Sequence, residues 1–386
     1  MNVGLFADCY APTVSGVVTS LLQLKQGLEQ RGHKVVVFTA ATPGYAERDG
    51  SLRPFPSLPF NRASGFRLAL VNPQAVLRMV RDEALEVIHT HTEYSLGWAG
   101  KHAARRLGLA FVHTAHTFHE AYRHYLPLGR AMPVGLVHLY LRRFLANCDM
   151  LICPSQKARD YFSTWLPDLS AVVIGNGLSH THFQPHPLGR EQEAQTRLSL
   201  GIRPTDQVIL YAGRLAREKR VSELLNVLAP LLQAHPQTKG LFVGSGPASA
   251  DLVAEVERHR LHGQVILAGE VNWSQMYRFY SLAQVFVTAS LSEMHPMTLI
   301  EASLCGLPVV ARRDPAYADL VRNGYNGYLV ASDQAIAARA WEILCSEGKR
   351  QELSKNAIAL SREFSAEAHV RKLEDLYQQL VGRKFA

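Results

Sequence analysis

The sequence predicts an α/β protein made of two doubly wound parallel-sheet domains. Three observations carry that prediction. Short apolar runs of strand length alternate with amphipathic runs of helix length along the chain. At 386 residues the chain exceeds what one hydrophobic core usually supports. A polar stretch rich in Gln, Pro and Glu, 179–203, interrupts the alternation near the middle. Domains are therefore expected at 1–178 and 204–365, with 179–203 as the linker.

Hydrophobic content of 47% and charged content of 19% describe a globular chain with a large interior. The five cysteines (Cys9, Cys148, Cys153, Cys305, Cys345) are odd in number and scattered, which points to reduced thiols and a cytoplasmic protein. The first residues, Met-Asn-Val-Gly-Leu-Phe-Ala-Asp, do not read as a signal peptide, and no apolar run is long enough to span a membrane. The net charge of +8 is uneven: residues 1–180 hold 18 Lys+Arg against 12 Asp+Glu, and the remainder 23 against 21. A basic N-terminal half suits an anionic partner such as a lipid surface, a nucleic acid or a phosphorylated substrate. A merely soluble basic protein is the plainer alternative.

In order, Val3–Ala7 is an apolar run ending in Asp8, Cys9, Tyr10, Ala11 and Pro12. After Ser15-Gly16, Val18–Arg31 carries apolar residues at helical spacing, Gly32 closes the helix and Val35–Thr39 is the next strand. This is a βαβ unit, the repeat of a parallel sheet. Gly16, at the helix start, lets backbone N–H groups approach an anion. The turn lacks G-x-G-x-x-G, which disfavours a dehydrogenase. Segment 42–70, rich in Pro, Gly, Ser and Arg, reads as an irregular surface excursion. There Arg53, Arg62 and Arg67 interleave with Phe55, Phe60 and Phe66, a pattern that suits a membrane interface and equally a plain exposed loop.

Val87–Thr90 (strand), Ala99–Leu107 (helix) and Phe111–Thr114 (strand) continue the alternation, and their ends deliver His89, His91, His113, His116, His119 and His124. These do not form a zinc motif. The run 119–124 is one residue too long for H-E-x-x-H, and a spacing of three at His113, His116 and His119 aligns poorly on one metal. Ligands of open α/β sheets gather at the carboxyl ends of strands, so the imidazoles are expected to face a polar substrate. Val134–Leu145 reads as a buried or an interfacial helix, too short to span. Met150–Cys153 and Val172–Ile174 complete the first sheet.

The second domain opens with the strand Val208–Ala212, then Gly213-Arg214-Leu215-Ala216-Arg217-Glu218-Lys219, then a helix to about Gln233. Arg offers a planar fork of donors and Lys a compact charge, which together suit a diphosphate leaving group. A basic solvent loop is the competing reading. No Asp-x-Asp is present, so these cations would replace a divalent ion. Leu241–Val243 ends in Gly244-Ser245-Gly246-Pro247, Val265–Ala268 in Gly269-Glu270-Val271, and Val285–Thr288 in a Ser-rich turn. Glu293 and Glu301 follow with Pro296 between them. Proline favours the first helical position, so a helix is expected to begin near Pro296, with Glu293 before it and Glu301 just over one turn inside. Glu301 sits among Leu299, Ile300, Ala302 and Leu304, where a carboxylate is costly unless hydrogen-bonded. A vicinal diol, as in a ribose or a sugar, offers two donors. A solvated Glu on the outer helix face is the alternative. Pro308–Ala311 is the next strand, Gly324 and Gly327 read as turns, and helices run from about Ser332 onward, broken near Phe364-Ser365.

Glu293 and Glu301, with seven residues between them, resemble the paired-glutamate signature of the family-four retaining glycosyltransferases, and the other family pieces appear in order along nearly the whole chain. The resemblance implies the GT-B fold: two Rossmann-like domains facing a cleft that holds the donor, with Gly175-Asn176-Gly177 as hinge and the final helix, 366–386, packing back on the first domain. It implies that Arg214 and Lys219 bind the diphosphate, aided by the helix at Pro296. Glu293 contacts the transferred sugar, Glu301 the ribose, and the backbone near Val271 the base. Asp8 and Gly16 match the family's first loop, which makes phosphate and acceptor contacts, and Gly213 precedes the cation pair. The run 113–125 is similar to the corresponding loop of the diacylglycerol glucosyltransferases, where the residue matching His116 touches the donor sugar.

One departure concerns Pro296, which stands where the family commonly has glycine and has no N–H to give. His295 or the amides of Met297 and Thr298 would serve the sugar instead. The implied activity is transfer of a hexose from UDP- or GDP-hexose to a lipid hydroxyl such as that of diacylglycerol, with no cofactor, no metal and no nucleic-acid partner. The expected location is cytoplasmic, peripherally on the anionic inner face of the cell membrane. Rivals are a soluble saccharide- or sugar-phosphate-directed transferase, a sugar-nucleotide epimerase and a non-catalytic nucleotide-sugar-binding protein. The nucleotide, the hexose and the oligomeric state stay open.

Overall fold

The computed structural model describes the chain except for residues 14, 46–49, 62–65, 121–131, 182, 186–187 and 386 and the side chains of Asn61, Phe66 and Phe385. The chain forms two units, Met1–Gly177 with Ala366–Ala386, and Leu178–Ser365.

The first unit runs β1 (Asn2–Ala7), α1 (Gly16–Gln30), β2 (Lys34–Ala40), β3 (Leu52–Phe55), β4 (Ser57–Asn61), β5 (Phe66–Ala69), α2 (Pro73–Asp82), β6 (Val87–Thr90), α3 (Ser95–Leu107) and β7 (Ala110–Thr114). It continues with α4 (Val134–Leu145), β8 (Met150–Cys153), α5 (Gln156–Ser163) and β9 (Ala171–Val173). Seven of these strands form one sheet in the order β3-β2-β1-β6-β7-β8-β9, and every pairing in it is parallel. Its strands are continuous apolar runs because helices cover both faces; Val3, Leu5, Val37, Val87 and Val112 have no exposed surface. The turns follow local chemistry. Ser15 caps α1 by accepting from the Val18 amide at 3.3 Å, Asn72-Pro73 starts α2, and Gly108, at φ +68°, closes α3.

Segment 42–70 corrects the sequence reading. β3 joins the main sheet beside β2, with Pro54 tolerated because the strand lies at the edge, and β4 and β5 form an antiparallel hairpin. Phe55 is buried against Phe38, Arg53 pairs with Glu83, and Arg67 donates to Ser57 Oγ at 2.7 Å. These side chains are engaged within the unit, so the interleaving of Arg and Phe marks local packing here. Arg62 and the Phe66 side chain lie outside the described residues.

The second unit runs α6 (Arg190–Ser199), β10 (Gln207–Ala212), α7 (Val221–Ala234), β11 (Thr238–Val243), α8 (Ser249–Arg258), β12 (Val265–Gly269), α9 (Met276–Leu282) and β13 (Val285–Thr288). It closes with α10 (Met297–Leu304), β14 (Val309–Arg312), β15 (Gly327–Val330), α11 (Gln334–Cys345) and α12 (Glu347–Ser361). Six strands form a second parallel sheet, β12-β11-β10-β13-β14-β15. The stretch expected as linker carries α6. Arg197 anchors it, with its guanidinium bonded to the Asp206 and Leu282 carbonyls and to Glu193. Polar composition hid this helix because its one anchoring side chain is itself an arginine. Gly327, read as a turn, begins β15, where a Cβ would stand 2.1 Å from the Val309 carbonyl oxygen.

The chain then returns to the first unit through α13 (Ala366–Phe385). Val370, Leu373, Leu376, Tyr377 and Leu380 pack with Leu21, Leu24 and Leu28 of α1 in one apolar cluster. Gly27 permits the close approach, since a Cβ there would lie 2.4 Å from Val370 Cγ2. Glu374 accepts from Arg31 Nε at 2.6 Å and pairs with His33 Nε2 at 2.8 Å, which fixes the helix along its polar edge.

Candidate active site

In the second unit the candidate residues lie on the loops at the carboxyl ends of β10, β12 and β13 and on α10, which follows the last of these, where open α/β sheets bind ligands. Glycines let two of these loops touch through their backbones. Gly213 (φ +146°), Gly244 (φ +135°) and Gly246 (φ +156°) adopt backbone angles that L side chains rarely reach. A Cβ on Gly244 would sit 2.0 Å from the Gly213 carbonyl oxygen, and one on Gly246 would sit 2.3 Å from that of Leu215. Backbone bonds from Gly213 to Val243, Leu215 to Ser245 and Ala248 to Leu215 lock the pair of loops.

On this base stand Arg214, half-buried, and the tight turn Arg217–Lys219, which Arg220 closes at φ +55°. Lys219 Nζ lies 2.7 Å from Glu293 Oε1, and Ser290 Oγ donates to the same oxygen at 2.9 Å. Further bonds tie the cation loop to the glutamate loop: Ser292 Oγ to the Glu218 carbonyl at 3.0 Å and Arg220 to the Ala289 carbonyl at 3.3 Å. Arg220 also pairs with Asp333, which Arg312 Nε holds from the other side at 3.1 Å. Tyr317, fully buried, donates to the Ser290 carbonyl at 2.8 Å. Residues 74 apart in sequence are thereby set as one constellation.

α10 begins at Met297, with Pro296 as the extended residue before it rather than inside its first turn. Met297 is buried and Thr298 half-buried at this helix start. Glu301 is 4% exposed, which excludes a solvated outer face. Its carboxylate accepts from Trp273 Nε1 at 2.9 Å on one oxygen and from the Tyr280 hydroxyl at 2.6 Å on the other. Burial pushes the Glu301 carboxyl up, and these two bonds act against that shift. Val271 lies just beyond β12, two residues before Trp273. The strand-end loop expected to meet a base is thus bonded, through Trp273, to the carboxylate expected to meet a ribose.

In the first unit, Gly16 opens α1 and is exposed. Asp8 turns inward. Ser95 Oγ (2.5 Å), Thr92 Oγ1 (2.8 Å) and the Leu96 amide (3.2 Å) all donate to it, so it caps the start of α3. Burial lifts its carboxyl, against those bonds. The imidazoles after β6 and β7 form a connected group. His91 Nδ1 and His116 Nε2 are 3.0 Å apart, and His89 joins Tyr377 and Thr114. His113 Nε2 and His119 Nε2 approach opposite oxygens of the buried Glu93 at 3.1 and 3.5 Å. Burial, reinforced by neighbouring imidazoles, holds His89 and His91 well below the usual histidine value and pushes His116 down to about 3. Burial raises the Glu93 carboxyl, but His119 and His113 outweigh it and hold it low. His124 lies outside the described residues, and His113 and His119 serve Glu93.

Sequence reading missed Trp273, Tyr280, Ser290, Tyr317, Asp333 and Glu93. For Tyr280 the signal was available: a carboxylate amid apolar neighbours needs buried donors, and Tyr is among the few residues that supply one. The partners of Lys219 and Arg220 depend on tertiary contacts.

Residues 192–360 match the family model described as Glycosyl transferases group 1, and residues 14–182 that described as Glycosyltransferase Family 4. The chain is 31% identical to the alpha-monoglucosyldiacylglycerol synthase of Streptococcus pneumoniae (strain ATCC BAA-255 / R6), over 99% of this chain and 86% of that one. It is 29% identical to the enzyme of the same name from Acholeplasma laidlawii, over 99% and 98%. Among solved structures, sucrose-phosphate synthase from Thermosynechococcus elongatus superposes with a TM-score of 0.78 at 22% identity, covering 99% of each chain. Anabaena Alr3699/HepE in complex with UDP and glucose gives 0.76 at 20% identity, covering 98% of this chain and 100% of that one.

Proposed function

We propose, from the premise that the chain belongs to the family-four glycosyltransferases of the GT-B fold and is related to the diacylglycerol glucosyltransferases, that it moves a hexose from a nucleoside-diphosphate sugar to a hydroxyl of a membrane lipid. The anomeric configuration is retained and no divalent metal takes part. The observation that carries this reading is the pairing of Lys219 with Glu293 on loops locked at the strand ends, with Arg214 on the same loop as Lys219.

As the bond from the anomeric carbon to the diphosphate oxygen breaks, negative charge grows on the leaving group, and Arg214 and Lys219 stabilise it. Each charge-assisted contact is worth about 1.5–3 kcal/mol. Lys219 has three donors, so it can hold Glu293 and a phosphate oxygen together. Glu293 orients sugar hydroxyls, with His116 as a further sugar contact, and the amides of Met297 and Thr298 replace the N–H that Pro296 lacks. Glu301 takes the ribose, the backbone at Val271 takes the base, and Gly16 leaves the start of α1 open to an acceptor or phosphate.

A lipid acceptor is supported by the relatives' names, by the basic N-terminal half and by one face of α4. Leu136, Leu139 and Tyr140 are 54%, 52% and 40% exposed and recur at helical spacing with Arg143. The opposite residues Val137, Leu141, Phe144 and Leu145 are buried. Among the described residues no helix is long and apolar enough to cross a membrane; the attachment proposed is peripheral and draws roughly 1 kcal/mol from each basic residue near anionic lipid.

The test is incubation with UDP-glucose and the other common nucleotide hexoses plus dispersed diacylglycerol, with mass spectrometry and anomeric NMR of the product. Co-sedimentation with phosphatidylglycerol and phosphatidylcholine vesicles runs alongside. A glycosylated lipid of the donor's own configuration, and salt-sensitive binding to the anionic vesicles alone, is the expected result. Rapid transfer to a free sugar with equal, negligible vesicle binding would give the case to a soluble acceptor, and an isomerised donor would identify an epimerase.

A further inference from the structure

Glu301 is held by two donors from separate elements. Trp273 comes from the turn after β12 and Tyr280 from α9. Each donor takes a different carboxylate oxygen, at 2.9 and 2.6 Å. A carboxylate accepts about four hydrogen bonds, two on each oxygen. One acceptor site per oxygen is therefore left, which equals in number the two adjacent O–H donors of a vicinal diol.

The terminal torsion of a glutamate is broad, so a free carboxylate would spread over many orientations. Here the two donors are themselves fixed by packing. Phe183 meets the Trp273 ring edge-on at 5.3 Å and the Tyr280 ring at 5.8 Å, while Phe286 stacks on Tyr280 at 6.2 Å. Tyr280 has no exposed surface. Its hydroxyl also lies 3.5 Å from the Thr298 carbonyl, but a single proton serves the nearer acceptor, Glu301. Burial and the charge of Glu301 keep that hydroxyl protonated, and an indole N–H can only donate. Neither donor can lose its proton here and turn into an acceptor.

We infer that Trp273 and Tyr280 are positioning residues that aim the two remaining acceptor sites of Glu301 at the ribose diol, and so set a preference for ribonucleotide over deoxyribonucleotide donors. This rests on the reading of Glu301 as the ribose contact. A site built to bond a hydroxyl discriminates strongly against a ligand that lacks it, because its own buried acceptor is then left unmet.

The experiment measures affinities of the full chain for UDP and for GDP, each beside its 2′-deoxy counterpart, by calorimetry. The base that the wild type binds is carried through Tyr280→Phe, Trp273→Phe and Glu301→Ala. Tyr280→Phe removes one hydroxyl from a packed ring, and Trp273→Phe keeps an aromatic at a half-buried site. The wild type is expected to prefer the ribonucleotide by about tenfold or more, each positioning variant to lower that ratio to about threefold or less, and Glu301→Ala to abolish it. Variants that weaken both nucleotides equally, leaving the ratio intact, would make Trp273 and Tyr280 merely structural and overturn the inference. A wild-type ratio in Glu301→Ala, or no binding of either base by the wild type, would instead overturn the ribose reading beneath it.

Discussion

In the second unit the strand ends carry charge: Lys219 against Glu293, and Arg220 and Arg312 against Asp333, with Arg214 on the loop that leads to Lys219. In the first unit the same edge of the same kind of sheet carries imidazoles, and burial keeps His89, His91 and His116 neutral at physiological pH. A half-buried charge persists only with a partner, so the second unit holds its cations balanced by carboxylates. A neutral imidazole offers one N–H and one lone pair, and within the unit His89 spends both on Tyr377 and Thr114 while His91 and His116 share one bond. One architecture thus carries two kinds of side-chain chemistry at its strand ends. The sheet supplies the edge, and the pairing of side chains along it sets whether that edge is charged or neutral.

The largest effect should come from breaking the charged edge. Lys219→Ala is expected to lower kcat/KM by about 100-fold, because the diphosphate loses a cation and Glu293 loses its counterion; Lys219→Arg should restore part. Glu293→Ala is expected to act mainly on kcat, and steady-state kinetics with the preferred donor check both. If Lys219→Ala were no worse than His116→Ala, the contrast between the units would fail.

Next is Glu301→Gln, expected to weaken nucleotide binding about tenfold and to flatten its dependence on pH. Burial raises the Glu301 carboxyl above its usual 4.5. The ionised form accepts the diol, so wild-type affinity should fall as pH is lowered towards that raised value, earlier than for an ordinary glutamate. Folding stability runs the other way at this residue. Its folded value lies above the unfolded one, so the penalty for burying the charge is present at high pH and is relieved as pH falls through the raised value. Glu374 in the first unit is the opposite case. His33 and then Arg31 hold it low, so it stabilises above its unfolded value, and that contribution is lost as acid protonates the folded carboxylate. Calorimetric titrations and thermal melts across pH 4–8 would separate the two trends (pH range about 4–8).

His116→Ala removes one neutral contact and should cost about five- to tenfold in kcat, with nucleotide affinity unchanged. Because burial pushes His116 down to about 3, the pH–rate profile should show no limb from this residue near 6.5. The smallest expected effect is none: EDTA should leave the rate unchanged, and a rate abolished by EDTA and restored by magnesium or manganese would show that Arg214 and Lys219 do not suffice.

Much of this arrangement was legible in the sequence because parallel strands are short apolar runs with ligand-bearing loops at one end. Val208–Ala212 and Val285–Thr288 located the cation and glutamate loops, and the apolar setting of Glu301 required hydrogen-bond donors. What stayed hidden was whatever depends on long-range pairing. Arg53 and Arg67 looked like free surface cations until Glu83 and Ser57 met them. α6 looked like a linker because its anchor, Arg197, satisfies backbone carbonyls from inside. Asp8 looked ligand-facing, yet a distant helix start needed its carboxylate more.

α13 carries a consequence for how the protein is made. The second unit, Leu178–Ser365, is inserted within the first, whose sheet needs Val370, Leu373 and Tyr377 to cover α1 and to reach His89. Translation of the inserted stretch at about 5–20 residues per second takes on the order of 10–40 s. Throughout that time Leu21, Leu24 and Leu28 have left the ribosome without their covering helix. The segment synthesised first is therefore completed last, and its greasy helix face is the one a chaperone would meet. A premature stop near residue 365 would release a chain with the second unit whole and the first without α13.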